Sequence, residues 1–191
     1  MRRPSLFVSC LRLFLLGALG GSAVDALHTH TGVSMYPGHI SPHTTPWWWV
    51  VPELGLGAVA YGLVRTRLWP GPGPRTPLPR ELPLFFTALM FGGWALCALG
   101  LPVLLTCALL LPGLIMSIVV IDGSWAGTAW ALCAGLAGAG VEVMLCRAGL
   151  YAYRSPDVMG VPLWLPLVHS GLAVCAGSLT ANWSNARASS L

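Results

Sequence analysis

Glu142, His169 and Asp122 are the side chains of this sequence best suited to chemistry. A carboxyl and an imidazole can act as acid and base, as a lipid or isoprenoid isomerase would require. They can equally fix the polar group of a ligand inside an apolar pocket. Asp122 opens the run Asp122-Gly123-Ser124, which can serve as a plain turn and an N-cap for the fifth span. His28, His30, His39 and His43 crowd one short stretch. Imidazoles bind metals, yet no cysteine or carboxylate in that loop completes a zinc spacing, so an ordinary polar loop without metal is expected. No nucleophile elbow, phosphate loop or paired metal motif accompanies these groups.

The elements that must position them are apolar. Hydrophobic residues make up 55% of the chain, charged residues 8%, and the mean hydropathy is +0.73. Soluble domains carry about 25% charged residues, so this is a membrane protein. A spanning helix needs roughly 20 mainly apolar residues. Six runs fit: 6–27, 47–64, 83–100, 103–121, 125–146 and 161–179. The third and fourth form one charge-free stretch that Gly100-Leu101-Pro102 divides, because proline ends or kinks a helix. The predicted fold is all-α, a compact bundle of six transmembrane helices in one domain. The Pro/Gly-rich segment 69–80 reads as a linker. No soluble catalytic domain is present, so the helices themselves must handle any chemistry or ligand.

Orientation rests on arginine. Arg2, Arg3, Arg65, Arg67, Arg75, Arg80 and Arg187 fall on one side of such a bundle, and Arg147 and Arg154 on the other. The positive-inside bias makes the first side, with both termini, cytoplasmic. The sequon Asn182-Trp183-Ser184 then stays unmodified. A competing reading of the N-terminus is a signal peptide, with Arg2-Arg3, an apolar stretch and Gly21-Ser22-Ala23, although Arg12 interrupts it. The formal charge of +4 reflects this bias and does not indicate nucleic-acid binding. The six cysteines mostly lie inside spans and read as small packing residues.

In lipid, helices associate through small residues and polar contacts. Gly127, Ala131, Gly135 and Ala139 make a ridge at four-residue spacing in the fifth span, and Gly17 and Gly21 repeat the relation in the first. A carboxylate near mid-bilayer costs at least about 2.5–3.5 kcal/mol, so Glu142 should not face lipid. It either handles a ligand inside the bundle or pairs with Arg147 near the helix end. Glu53, following Pro52, and Asp25 are expected to be shallow.

The segment "YAYRSPD", leading to "WLP", resembles the Insig (insulin-induced gene) family through Tyr151, Tyr153, Ser155, Pro156 and Asp157, then Trp164, Leu165 and Pro166. "WWVVPELG" resembles the family's opening of the second span through Trp48, Trp49, Val50, Pro52 and Gly55. Ungapped counting places Asp122 on the family's aspartate at the end of the fourth span. The resemblance implies residence in the endoplasmic reticulum membrane, oxysterol binding within the bundle, and association with membrane proteins carrying a sterol-sensing domain. Such regulators control sterol and cholesterol metabolism by retaining the escort of a lipogenic transcription factor (SREBP signalling) and directing a reductase to degradation. They are not enzymes, and self-association is compatible with this reading. By the same resemblance Asp122 is assigned to partner contact. The expected ligand is a sterol-like or diacylglycerol-like lipid met by Glu142, Trp164 and His169, with no other cofactor. The family's sterol-contacting glutamine and tryptophan of span four correspond here to Leu105 and Ile118.

Overall fold

The computed structural model describes residues 6–37, 39, 44–69, 79 and 81–185. His43, Arg2, Arg3, Arg75, Arg80, Arg187 and most of the 69–80 linker lie outside them. Six helices cross in sequence: α1 (Leu6–Thr31), α2 (Trp47–Leu68), α3 (Glu81–Leu99), α4 (Val103–Asp122), α5 (Trp125–Arg147) and α6 (Leu165–Asn185). Four of them, α1, α3, α4 and α5, are long and apolar enough to cross a membrane by length and composition. The other two carry further interior polar groups: Glu53, Tyr61 and Arg65 on α2, and His169, Ser170 and Thr180 on α6.

That difference follows from position. α6 packs against each of the other five helices and is buried along most of its length, so lipid sees little of it. The outer helices instead turn leucines and methionines outward, as Leu104, Leu136 and Met144 illustrate.

Local sequence sets the helix ends. Gly123 (φ 66°) takes the left-handed conformation after Asp122 and closes α4 by donating its N–H to the Ile118 carbonyl at 2.7 Å. A glycine adopts that geometry without the steric cost of a Cβ. Ser124 then accepts the Gly127 N–H at 3.0 Å and caps α5. The α3–α4 break falls at Gly100-Leu101-Pro102.

The last helix starts later than the apolar run from Val161 suggests. Val158 and Val161 form a tight antiparallel bridge, and the Leu163 N–H donates to the Asp157 carboxylate at 2.9 Å. These bonds draw the chain into a turn before Leu165, and Pro166 occupies the first helical turn, where its missing N–H has no partner to lose.

The α1–α2 and α5–α6 connections meet at one end of the bundle. There β1 (Ser34–Met35) pairs antiparallel with β2 (Ala152–Tyr153), Ser34 opposite Tyr153. Tyr36 packs against Trp49 and Tyr151 beneath this two-stranded cap.

The glycine ridge of α5 faces α6. A Cβ at Gly135 would collide with the Pro166 carbonyl and the Ser170 hydroxyl. Close approach lets Ser170 Oγ donate to the Ala131 carbonyl at 2.8 Å and Trp130 Nε1 to the Ala173 carbonyl at 3.3 Å. Gly17 and Gly21 sit likewise against Leu54 of α2. Small residues therefore bring these backbones together in place of a hydrophobic drive that lipid cannot supply.

Candidate functional site

A cavity of about 240 Å³ lies among α1, α2, α3, α5 and α6. Its walls are mainly apolar, with Leu13, Leu16, Leu54, Phe91, Leu172 and Leu179 among them. The polar exceptions gather towards the β1–β2 cap: Glu53 and Tyr61 from α2, Glu142 from α5 and His169 from α6. Thr87 also borders the space, but its hydroxyl is already given to the Pro83 carbonyl at 2.7 Å.

The imidazole is held from one side only. His169 Nδ1 lies 2.8 Å from the Tyr61 hydroxyl, whereas Nε2 is buried without a hydrogen-bond partner among the described residues. Its nearest charged neighbour is Glu142 Oε1 at 3.8 Å, too far for a hydrogen bond. Glu142 Oε2 accepts the Tyr153 hydroxyl at 3.5 Å, and Tyr153 in turn meets Tyr151 at 3.3 Å. Burial, then the neighbouring Glu142 charge, raises the Tyr153 phenol well above its usual range, so it remains a donor. Gly138 makes room for the group, since a Cβ there would overlap the His169 ring and the Tyr61 hydroxyl.

A smaller pocket of about 30 Å³ adjoins the polar end. Glu53, Leu54, Trp94 and Glu142 line both spaces. Asp25 closes the far side, its two oxygens accepting Tyr36 and Thr45 hydroxyls, each at 2.8 Å. Such a volume suits one or two waters among polar partners.

A different polar centre lies near the junction of α4 and α5. Arg65 Nη2 and Nε donate to Asp122 Oδ2 at 2.7 and 3.3 Å, and Nη1 donates to the Trp69 carbonyl at 2.6 Å. Ser124 Oγ donates to Asp122 Oδ1 while also capping α5. Both charged residues are 8% exposed. A Cβ at Gly127 would collide with the Asp122 carboxylate, and one at Gly177 with the Arg65 side chain, so two glycines admit the pair.

No protein-family model matches the chain, and no curated protein matches it in sequence. Solved structures do. MvINS, a mycobacterial Insig homolog from Mycobacterium vanbaalenii, is 26% identical, with a TM-score of 0.83 over 100% of both chains. A cross-linked trimer of an arginine-to-cysteine variant of MvINS is 25% identical, with the same TM-score of 0.83 over 98% of each chain. The chain is an Insig-like membrane protein. It is similar to MvINS along its whole length, including the fourth span, where Leu105 and Ile118 stand in place of the Insig family's glutamine and tryptophan.

The Insig-like motif residues divide between structure and site. Tyr151 and Tyr153 form the cap and the outer edge of the polar end. Asp157 ties the turn before α6, with Ser155 and Pro156 in the same exposed loop. Trp49 packs on Tyr36, while Trp48 and Pro52 face outward. Trp164, assigned above to the lipid, is 6% exposed and does not line the cavity; it packs edge-on against His28 and Tyr153.

Two other expectations change. Glu142 meets His169 and Tyr153, and makes no ion pair with Arg147 among the described residues. Glu53 lies beyond the first turn of α2, borders both pockets, and makes no hydrogen bond or ion pair among the described residues. The run Asp122-Gly123-Ser124 forms the turn and N-cap expected of it, Gly123 closing α4 and Ser124 capping α5. Sequence reasoning missed Arg65, counting it as a solvated charge, and the hint it overlooked is that Arg65 lies one helical turn beyond the interior Tyr61. His28 bonds the Trp94 carbonyl at 3.0 Å, His39 the Thr44 hydroxyl at 3.1 Å, and His30 is exposed. Among the described residues no three His, Cys, Asp or Glu side chains converge as metal ligands.

Proposed function

We propose that this Insig-like protein is a non-enzymatic regulator that holds a hydroxyl-bearing lipid, such as a sterol or a diacylglycerol, in the cavity. Lipid occupancy then governs its association with membrane proteins carrying a sterol-sensing domain. The observation that carries the reading is an apolar space bordered by Glu142 and by His169, whose Nε2 is buried without a partner among the described residues. A hydroxyl is both donor and acceptor, so with the Nε2–H tautomer, in which Nδ1 accepts from Tyr61, one oxygen can accept from Nε2 and donate to Glu142 Oε1. An unpaired buried polar group costs about 1–3 kcal/mol, and a ligand that pairs it recovers that.

Asp122 belongs to this reading as the partner-side residue. The same helices reach both centres: Tyr61 and Arg65 lie one turn apart on α2, and Ala176 of the cavity wall precedes Gly177 beneath Arg65 on α6. Ligand contacts that shift α2 or α6 would change the setting of Asp122, and differential contact of this kind is what couples two sites. Residence in the endoplasmic reticulum membrane with both termini cytoplasmic, and self-association like that of the MvINS trimer, complete the proposal.

The test is co-purification of the full chain with a sterol-sensing-domain membrane protein, with and without added oxysterol. Gly57→Leu supplies the control. Gly57 lines the cavity, and a Cβ there meets nothing within 4 Å, so leucine grows into the space. Sterol-dependent recovery in the wild type, lost in Gly57→Leu, supports the regulator; recovery that ignores both changes refutes it.

The linked Tyr61, His169 and Glu142 also favour a second reading, an intramembrane lipid or isoprenoid isomerase using Glu142 and His169 as acid and base. A Glu142→Gln protein that retains lipid but loses a measured turnover would establish it.

A further inference from the structure

The hydroxyl-bearing lipid leaves one acid unanswered. His169 Nε2 and Glu142 Oε1 are served by one oxygen, and Asp25 already accepts two hydroxyls, but Glu53 has neither hydrogen bond nor ion pair among the described residues. No arginine or lysine lines either space to neutralise it. A carboxyl inside a membrane bundle is expensive to leave without a partner. Hard metal cations do not suit the place, since they want several oxygen ligands and no three metal-binding side chains converge there. The unmet chemistry is therefore a hydrogen-bond donor carrying positive charge, beside a group that both donates and accepts.

We infer that the cavity takes a long-chain amino alcohol, its hydroxyl between His169 Nε2 and Glu142 Oε1 and its ammonium on Glu53. The inference rests on the lipid-site reading above and specifies the head group. A primary ammonium offers three donors and no acceptor, matching Glu53 and the free capacity of Glu142. The apolar tail runs along Leu13, Leu16 and Leu179, towards the other end of the bundle. Desolvation makes such a charge-assisted bond stronger than it would be in water, provided both partners are present.

The experiment is a native mass-spectrometry titration of the full chain in mild detergent, with 2-aminooctadecanol and octadecanol as probes. The amino alcohol is expected to reach half-occupancy at a concentration about tenfold lower than the alcohol, the ratio expected for one charge-assisted hydrogen bond. Glu53→Gln should bring that ratio to about one, while Gly57→Leu should suppress both probes. A thermal-unfolding midpoint confirms that each variant is folded. Equal occupancy by the two probes in the wild type overturns the inference and leaves the hydroxyl-lipid site standing, with water in the smaller pocket serving Glu53. Persistence of the preference in Glu53→Gln overturns it too. Binding of neither probe to the wild type removes the lipid-site reading together with it.

Discussion

At one end of the bundle Arg65 meets Asp122 and the Trp69 carbonyl, and Asp122 also takes the Ser124 hydroxyl. Towards the other end His169 Nε2 faces Glu142 across 3.8 Å, and Glu53 borders a cavity with no partner. Both places bury charge inside a membrane protein, and both rest on glycines that make room for it. They differ in completeness. A satisfied buried pair fixes the relative setting of the elements that hold it, here α2 and the α4–α5 turn. A half-satisfied polar group beside an empty apolar space marks where a ligand supplies the remaining bonds.

The comparison breaks most readily at the closed pair. Asp122→Ala would strand the Arg65 guanidinium and is expected to destabilise the protein by about 3–5 kcal/mol. Replacing both, Arg65→Met with Asp122→Leu, should cost clearly less than the single change, as measured by thermal unfolding in detergent. A double variant as weak as the single would show that the pair is not self-contained. This control matters for function, because lost partner binding in Asp122→Ala alone would not separate contact from misfolding.

Gly127→Ala is the next largest, forcing a methyl against the Asp122 carboxylate; about 1–3 kcal/mol is expected from overpacking. At the open end the stability effects should be smaller and the ligand effects larger. His169→Phe removes the Tyr61 hydrogen bond, for about 0.5–1.5 kcal/mol, and should lower retention of a hydroxyl-bearing lipid by more than tenfold. Gly57→Leu should leave the unfolding midpoint nearly unchanged while excluding lipid, because a Cβ there meets nothing within 4 Å and Gly57 lines the cavity. A lipid retained undiminished in both variants would place it elsewhere on the bundle.

The contrast also explains what the sequence made legible. Charge-free runs and the 100–102 break outline the helices because the bilayer imposes length and apolarity on any span. The Gly127 to Ala139 ridge named its own role, since small residues at four-residue spacing suit only close helix packing. Arg65 escaped notice because position-counting assigns arginines near helix ends to solvent, and its burial depends on Gly127 and Gly177 from distant helices. Glu53 followed the same logic in reverse: first-turn placement suggested a shallow site, and the packing of α2 against α1 and α6 sets it at the cavity wall. Trp164 carried a family motif, but a motif identifies a residue without saying which way its ring points.

The most direct measurement is native mass spectrometry of the full chain purified in mild detergent from its expression membrane, identifying any lipid that stays bound. The account expects one tightly held lipid with a hydroxyl-bearing head, absent from Gly57→Leu. An empty wild-type protein, or a bound lipid that Gly57→Leu retains equally, would contradict the claim that this cavity is a lipid site.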